Sequence, residues 1–315
     1  MISDPEFLEN HLANSHKKEA HVLKFVGTFN NVFHVDTRND GSLTLPLPPQ
    51  FCGVRYSVVS CNGLVCLSTR RTGDSLYLWN PLMKRFKELP VPNIQAHCAL
   101  DVGFCFDSVS NDYKVLRIVL SDVTSAIEAE LYSTNANSWR EIQLPATVEK
   151  VLLPWPYAKC VNTKAGVLYL EKRKELLSFD SRNEAFGVHP FPNFMHHKKM
   201  SGVLDFNGSA AMIIQSVSDV SVLSLWTLDN VCGMVSWVKK FNLDVVPGIS
   251  WIALHLGCGQ FVSRYGRLFD AVYCFHDYKR KKIIQLTLPP RNRAVVSVFK
   301  FTGSLVSLEG FERLD

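Results

Sequence analysis

The polar and apolar positions follow one pattern through most of the chain. From about Val22 onward, short runs rich in Val, Leu, Phe, Tyr and Trp alternate with clusters of Asn, Asp, Gly, Ser and Pro. Short β-branched and aromatic runs bounded by turn residues are typical of strands, and no long stretch has the 3.6-residue period of a helix. The pattern therefore predicts an all-β fold of the sandwich, barrel or propeller kind.

Only the N-terminus departs from this pattern. Asp4 and Pro5 stand where a helix cap and a first helical residue are expected, and Glu6 follows them. Phe7 and Leu8 then begin an apolar face. We expect a short N-terminal helix that ends near Ser15.

A repeated unit distinguishes among the all-β folds. It consists of an apolar strand, a polar turn and a second strand that usually ends in Leu-Pro, as in 76–90 and 130–145. Successive copies are marked by an aromatic residue, and the markers are separated by 53, 47, 47 and 49 residues: Trp79, Tyr132, Phe179, Trp226 and Phe275. A period near 50 residues is that of kelch repeats, each of which forms one four-stranded blade. The spacing predicts a kelch-like β-propeller of about six blades, within a range of five to seven, with 54–67 and 295–308 completing one blade from the two ends.

Composition and charge narrow the function classes. The chain has 315 residues, 47% of them hydrophobic, and a net charge of only +5 that is not gathered in one strongly basic segment. No apolar run reaches the ~18 residues of a membrane helix, and the first residues lack the pattern of a secretory signal. We expect no nucleic-acid partner, no membrane insertion and a location in the cytoplasm or nucleus.

The candidate chemistry is sparse. Nine cysteines without a CxxC pair read as buried reduced thiols, so neither a metal nor another cofactor is expected. Asp107 and Asp112 flank a predicted hairpin turn, and Asn62-Gly63 is typical of another. Trp79, Trp139 and Trp226 are interpreted as blade packing because they recur with the repeat. With no nucleophile, phosphate-loop or metalloprotease motif, the chain is predicted not to be an enzyme.

A set of ordered signatures resembles a known family. The signatures are Cys61-Asn62-Gly63-Leu64-Val65-Cys66, Trp79-Asn80-Pro81, Gly103-Phe104-Cys105-Phe106-Asp107, Asp112-Tyr113-Lys114-Val115 and Tyr132-Ser133 through Ser138-Trp139-Arg140. In this order they look like plant F-box proteins with an F-box-associated domain. The set spans roughly 60 to 145, and the likeness extends more loosely to the C-terminus.

The resemblance implies a function. In that family an N-terminal F-box docks on the Skp linker subunit of a cullin-based (SCF-type) ubiquitin ligase, and the C-terminal domain captures a target protein for degradation. Residues 1–20 resemble the end of an F-box with its linker, and 21–315 the associated propeller. The leucine- and proline-bearing start of the F-box is absent from this sequence. Two alternatives follow: a fragment of a ligase substrate-recognition subunit, or a propeller scaffold or decoy that binds a protein partner without recruiting the ubiquitin machinery.

Partner-binding residues are expected where insertions interrupt the repeat. The segment Leu153-Pro154-Trp155-Pro156-Tyr157 combines rigid backbone with two large aromatic side chains, so Trp155 and Tyr157 are candidate interface anchors. His196, His197 and Lys198 form a second candidate loop. The alternative for the first segment is packing over a blade end, and for the second simple solvation.

Overall fold

The computed structural model of the protein describes most of the chain from residue 21 onward. The described residues are 21–26, 32–36, 42–46, 56–69, 73–152, 160–163, 166–172, 174–195, 199–215, 222–231, 234–244, 249–257, 259–265, 272–277, 282–285, 295–301, 304–306 and 308–313. The predicted N-terminal helix and the proposed boundary at residue 20 lie outside them. The chain divides into two compact units: Met1–Leu144 with Pro289–Asp315 (unit 1), and Pro145–Leu288 (unit 2).

The described residues of unit 1 form three antiparallel sheets. Their strands are β1 (His21–Val26), β2 (Val32–Asp36), β3 (Ser42–Pro46), β4 (Tyr56–Cys61), β5 (Leu64–Thr69), β6 (Leu76–Asn80), β7 (Arg85–Glu88), β8 (Ala96–Asp107), β9 (Asp112–Ser121), β10 (Ile127–Ser133), β11 (Ser138–Ile142), β24 (Val295–Phe301) and β25 (Glu312–Arg313). The strand orders are β24-β1-β2-β3, β25-β7-β6-β5-β4 and β11-β10-β9-β8.

In unit 2, the residues that the structure describes also form three antiparallel sheets, each of four consecutive strands. Their strands are β12 (Cys160–Asn162), β13 (Val167–Glu171), β14 (Glu175–Asp180), β15 (Ala185–Pro190), β16 (Lys199–Phe206), β17 (Ser209–Gln215), β18 (Val222–Val231), β19 (Met234–Asp244), β20 (Ile249–Gly257), β21 (Gln260–Tyr265), β22 (Val272–Asp277) and β23 (Lys282–Gln285). The strand orders are β12-β13-β14-β15, β16-β17-β18-β19 and β20-β21-β22-β23.

The repeat read from the sequence corresponds to these sheets. Each of the five aromatic markers lies on the third strand of a sheet: β6, β10, β14, β18 and β22. Four-stranded antiparallel sheets in chain order are the blades of a propeller. The predicted all-β propeller class is confirmed, and the six sheets of the described residues fall within the predicted range of blades.

The prediction that 54–67 joins 295–308 in one sheet was wrong about the N-terminal segment. Strand β24 pairs with β1, with Leu23 opposite Phe299, whereas 54–67 supplies β4 and β5 of the following sheet. The chain after β24 instead crosses to that following sheet, where β25 pairs with β7. The predicted markers began at Trp79, so the repeat did not include the segment that supplies β1 to β3.

Asn80, in the Trp-Asn-Pro signature, anchors this C-terminal segment. Its buried side-chain amide donates to the carbonyls of Ser304 (3.0 Å) and Val306 (2.7 Å). Its Oδ1 accepts from the backbone N–H groups of Leu82 and Met83, which shapes the turn after β6. All the hydrogen-bonding groups of one buried amide are therefore used to join the turn to the chain end.

Tight turns explain several signatures. Asn62 and Gly63 have φ of 45° and 80°, as a two-residue type I′ hairpin between β4 and β5 requires. Asp107 accepts hydrogen bonds from Val109 N–H and Ser110 Oγ, which closes the predicted hairpin between β8 and β9. Both turn predictions are confirmed.

One short helix, α1 (Ala146–Leu152), was not predicted. Pro145 precedes it, and its carbonyl accepts from the N–H groups of Val148 and Glu149. Val148 and Leu152, four residues apart, are the buried side chains of its inner face. With only seven residues, the segment is too short for the periodic pattern to indicate a helix.

Outer-strand tryptophans connect neighbouring sheets. In unit 1, Trp139 Nε1 on β11 donates to the carbonyl of Pro90, which follows β7, at 2.7 Å. In unit 2, Trp237 Nε1 on β19 donates to the carbonyl of Pro190, the last residue of β15, at 3.2 Å. In both cases a proline at or just after the last strand of one sheet accepts a hydrogen bond from a tryptophan on the last strand of the next sheet.

A buried ion-pair cluster supports unit 1. Arg117 on β9 and Glu130 on β10 are cross-strand partners, and both side chains are fully buried. Arg117 also pairs with Asp74 and donates to the carbonyl of Ile94. Glu130 Oε2 accepts from the N–H of Asn93 at 2.9 Å. Burial raises the pKa of Glu130, and the hydrogen bonds and charge of Arg117 oppose this shift.

Candidate partner-binding surface

The partner-binding residues predicted from the sequence lie outside the described residues. Trp155 and Tyr157 fall between α1 and β12, and His196, His197 and Lys198 fall immediately before β16. Their assignment stays a prediction. Met195, the last described residue before the second loop, is buried.

Two of the three tryptophans interpreted as blade packing, Trp79 and Trp139, are packing residues. Trp79 is 1% exposed and Trp139 is 6% exposed, and both pack in the core of unit 1. Trp139 lies against Tyr132, with ring centroids 5.4 Å apart. Trp226 differs, because it is only partly buried and is in contact with an exposed phenylalanine.

That contact belongs to a group of side chains on unit 2. Phe194, in the short 3-10 helix Asn193–Met195 after β15, packs on Trp226 with ring centroids 4.8 Å apart. Phe191 packs on Trp237 at 5.6 Å. Phe191 belongs to the apolar core beneath Phe194, Trp226 and Trp237, which also includes Leu176, Met195, Val203, Met212 and Leu228.

The register of β18 and β19 determines which side chains share this face. Trp226 lies opposite Lys239, Leu228 opposite Trp237, and Asn230 opposite Val235. Directly opposed residues of an antiparallel pair project from the same face of the sheet. Val235, Trp237 and Lys239 therefore project on the face that carries Trp226 and the buried Leu228. We call Phe194, Trp226, Val235, Trp237 and Lys239 the aromatic surface.

The polar atoms of the two indoles are satisfied. Trp226 Nε1 donates to Ser224 Oγ at 3.2 Å, and Trp237 Nε1 donates to the Pro190 carbonyl. These hydrogen bonds restrain the orientations of both rings. Held aromatic rings lose little conformational entropy on binding, which is why such residues act as interface anchors.

Exposure supports a role in recognition. Phe194 is 41% exposed, Val235 52% and the adjacent Met234 72%. The other large exposed apolar side chains of the described residues stand on turns or connections in unit 1: Leu82, Val91, Val109 and Val123. Trp and Phe side chains on one surface are typical of interface cores, whereas scattered single residues are normal on any protein.

Sequence reasoning missed this surface. Its residues come from three separate places in the chain, and Trp237 lies inside a repeat whose predicted marker is Trp226. A usable signal did exist, because the repeat that contains β18 and β19 carries one tryptophan on each of these two strands, whereas every other repeat carries at most one on the corresponding pair.

The acidic pair considered from the sequence has a structural role. Asp107 accepts from Ser110 Oγ and Lys114 Nζ. Asp112 accepts from Ser133 Oγ, Thr134 Oγ1 and the N–H of Asn135. The two carboxylates thus hold turns together. Across the part of the chain that the structure describes, no three His, Cys, Asp or Glu side chains group as a metal site, and no helix has the length and apolar character needed to cross a membrane.

The four-stranded antiparallel sheets in chain order define the class of the domain, a β-propeller. Residues 17–286 match the family described as the F-box associated beta propeller domain. The chain belongs to this family, as its ordered signatures indicated. The family match covers strands of both units.

Individual relatives agree with this assignment. The chain is 26% identical over 277 residues to the F-box protein CPR1 of Arabidopsis thaliana, covering 78% of this chain and 66% of the relative. It is 36% identical over 89 residues to an F-box/kelch-repeat protein of the same plant, covering 27% of this chain and 24% of that protein. A putative F-box protein of Arabidopsis thaliana is 27% identical over 147 residues, covering 45% and 38%. The chain thus spans between about a quarter and two thirds of these relatives.

Among solved structures, a chain of a nidogen/laminin complex is similar in fold. It superposes with a TM-score of 0.53 at 9% sequence identity, covering 90% of this chain and 99% of that one. This likeness concerns the fold alone.

Proposed function

We propose that the protein is the substrate-recognition subunit of an SCF-type ubiquitin ligase, and that its propeller domain binds the target protein. The observation that carries the proposal is the family match over 17–286, since the relatives are F-box proteins. In such a subunit, an F-box upstream of the propeller binds the Skp linker. The protein itself transfers no chemical group, so we place it among adaptors rather than enzymes.

The aromatic surface supports the target-binding half of the proposal. It offers two fixed indoles, an exposed phenylalanine and one cation on the rim, and these features favour a protein partner over a small polar ligand. A small-molecule site would instead require a concave pocket with converging polar groups. The predicted loops at Trp155 and His196 remain further candidates for the same partner.

The ligase half is tested by a longer form of the protein. An open reading frame that extends upstream of Met1 is expressed with the Skp linker subunit, and the two are expected to copurify. Residues 21–315 alone serve as the control and are expected not to bind. Failure of the longer form to bind would contradict the ligase assignment and favour a scaffold or decoy that binds its partner without recruiting the ubiquitin machinery.

The target half is tested by proximity labelling and turnover in cells. The double variant Phe194→Ser/Val235→Ser removes two exposed side chains of the aromatic surface and leaves the sheet contact of Trp237 in place. It is compared with Leu82→Ser, which removes an exposed apolar side chain from a turn in unit 1. Proteins stabilised by the first variant but not by the second are the expected targets. Equal effects of both variants on every labelled protein would contradict the use of this surface.

A further inference from the structure

Strand β19 is an unusual outer strand. Among the described strands it pairs with β18 alone, and its 11 residues exceed the four to six of the other strands that end four-strand repeats: β3, β7, β11, β15 and β23. Its residues Met234, Val235, Ser236, Lys239 and Lys240 are exposed. A strand at the edge of a sheet presents unpaired backbone N–H and C=O groups in alternation.

The features that normally protect such an edge are confined to one half of β19. The register shifts between Leu225 and Trp226, which leaves Lys240 as the extra residue of a β-bulge. Lys239 precedes it, so a charge and a bulge stand together at that point. The half before it, Met234–Val238, has the sequence Met-Val-Ser-Trp-Val and carries no charge. A regular apolar edge is a ready template for another strand.

The chain already adds a fifth strand to one of its outer strands. In unit 1, β25 pairs antiparallel with β7, with Glu312 opposite Phe86 and Arg313 opposite Arg85. Lys87 of β7 also donates through Nζ to the carbonyl of Glu309. Strand addition at a blade edge is thus compatible with this architecture. No described strand occupies the corresponding edge of β19.

We propose that the edge of Met234–Lys239 receives an extended segment of the target protein by β-strand addition. The segment places apolar side chains beside Val235 and Trp237 on the aromatic surface, and an acidic side chain beside Lys239. Backbone hydrogen bonds supply affinity, and the alternate side chains supply specificity. The inference deepens the proposed function, because it states which chemistry identifies a target.

Charge supports an acidic partner. Lys240 is held by an ion pair with Asp229, whereas Lys239 projects on the aromatic face beside Trp226. Opposite charges on neighbouring strands stabilise a pair, and like charges destabilise it. An acidic residue beside Lys239 therefore favours one register of the added strand and disfavours basic segments.

The test uses a random 12-residue peptide library displayed on phage, selected against the 315-residue chain without a Skp subunit. Enriched peptides are expected to alternate apolar and other residues, to contain an acidic residue and to lack internal proline. A selected peptide is then synthesised in two further versions, N-methylated at every second amide in one frame or in the other. Alternate amides of an added strand point toward and away from the edge. One version should lose at least tenfold in affinity, and the other should bind nearly unchanged.

Charge exchange locates the site. Lys239→Glu is expected to weaken the peptide at least tenfold, and a peptide with its acidic residue replaced by lysine should recover affinity for this variant. Leu82→Ser is the control and should bind like the unaltered protein. Circular dichroism and the urea midpoint check that Lys239→Glu is folded, as an exposed substitution predicts.

Several results would overturn the inference. These are failure to select any peptide, equal loss from both N-methylated versions, or unchanged binding to Lys239→Glu. A dimer in analytical ultracentrifugation that Lys239→Glu dissociates would assign the edge to a second copy instead. Because Skp binding is not involved, failure of the ligase assay leaves this result intact, and failure here leaves the ligase assignment intact.

Discussion

The buried pair Arg117–Glu130 allows a quantitative test of the fold. Replacing Arg117 with Met removes the guanidinium but leaves the Glu130 carboxylate fully buried, with only the backbone N–H groups of Asn93 and Ile94 as its remaining described donors. Leaving one charge of a buried pair uncompensated costs about 3–5 kcal/mol. We expect the free energy of unfolding of unit 1 to fall by that amount, measured by urea denaturation at pH 7.

Two further variants separate the causes of this loss. Asp74→Asn removes the partner of Arg117 that is 46% exposed, so it should cost at most about 1 kcal/mol. The double variant Arg117→Met/Glu130→Leu removes both buried charges and should recover part of the loss. Full recovery is not expected, because the N–H groups of Asn93 and Ile94 then lack their acceptor, at about 1–3 kcal/mol.

The pH dependence of the stability lost in Arg117→Met gives an independent check that the buried charge of Glu130 causes the loss. In Arg117→Met, burial raises the pKa of Glu130 without the opposing guanidinium, so its folded pKa exceeds the unfolded value of about 4.3. Such a group adds stability below the unfolded pKa, and that stability is lost as pH rises through the folded pKa. The difference from the unaltered protein should therefore shrink from pH 7 to pH 5. A loss below about 1 kcal/mol, or one independent of pH, would refute the reasoning.

Three other predictions concern single side chains. Trp139→Phe removes the hydrogen bond to the preceding sheet and should lower the unfolding free energy by about 1–2 kcal/mol in urea, while a loss no greater than that of an exposed substitution would contradict the link. A Cβ at Gly187 would lie 2.6 Å from Ser178 Oγ, so Gly187→Ala should lower the unfolding free energy by about 1–3 kcal/mol. The double variant Gly187→Ala/Ser178→Ala should recover part of this loss. Equal stability of the single and the double variant would contradict the steric explanation. Burial lowers the pKa of His189 and of His276, so the unfolded chain takes up more protons than the folded chain below pH 6.5. The unfolding free energy should therefore fall from pH 7 to pH 5.5, and replacing both histidines with Gln should reduce this fall. An unchanged fall would rule out these two groups as its cause.

The sequence by itself determined the repeat and its strands. Alternating apolar runs and turn residues act over a few neighbouring positions, so they could be read locally, and the five markers do lie on equivalent strands. The type I′ turn at Asn62-Gly63 is equally local, since it needs only two residues that tolerate positive φ. The family resemblance rested on signatures of this kind.

Tertiary structure alone decided which distant segments meet. Pairing of β24 with β1, the contact of Asn80 with 304–306 and the burial of Arg117 against Glu130 join residues whose separation in sequence carries no periodic signal. The aromatic surface is the same kind of feature. Phe194 and Trp237 belong to different repeat units, and only the register of β18 and β19 together with the 3-10 helix after β15 brings them to one face. Register depends on summed packing over whole sheets, which no local pattern of residues encodes.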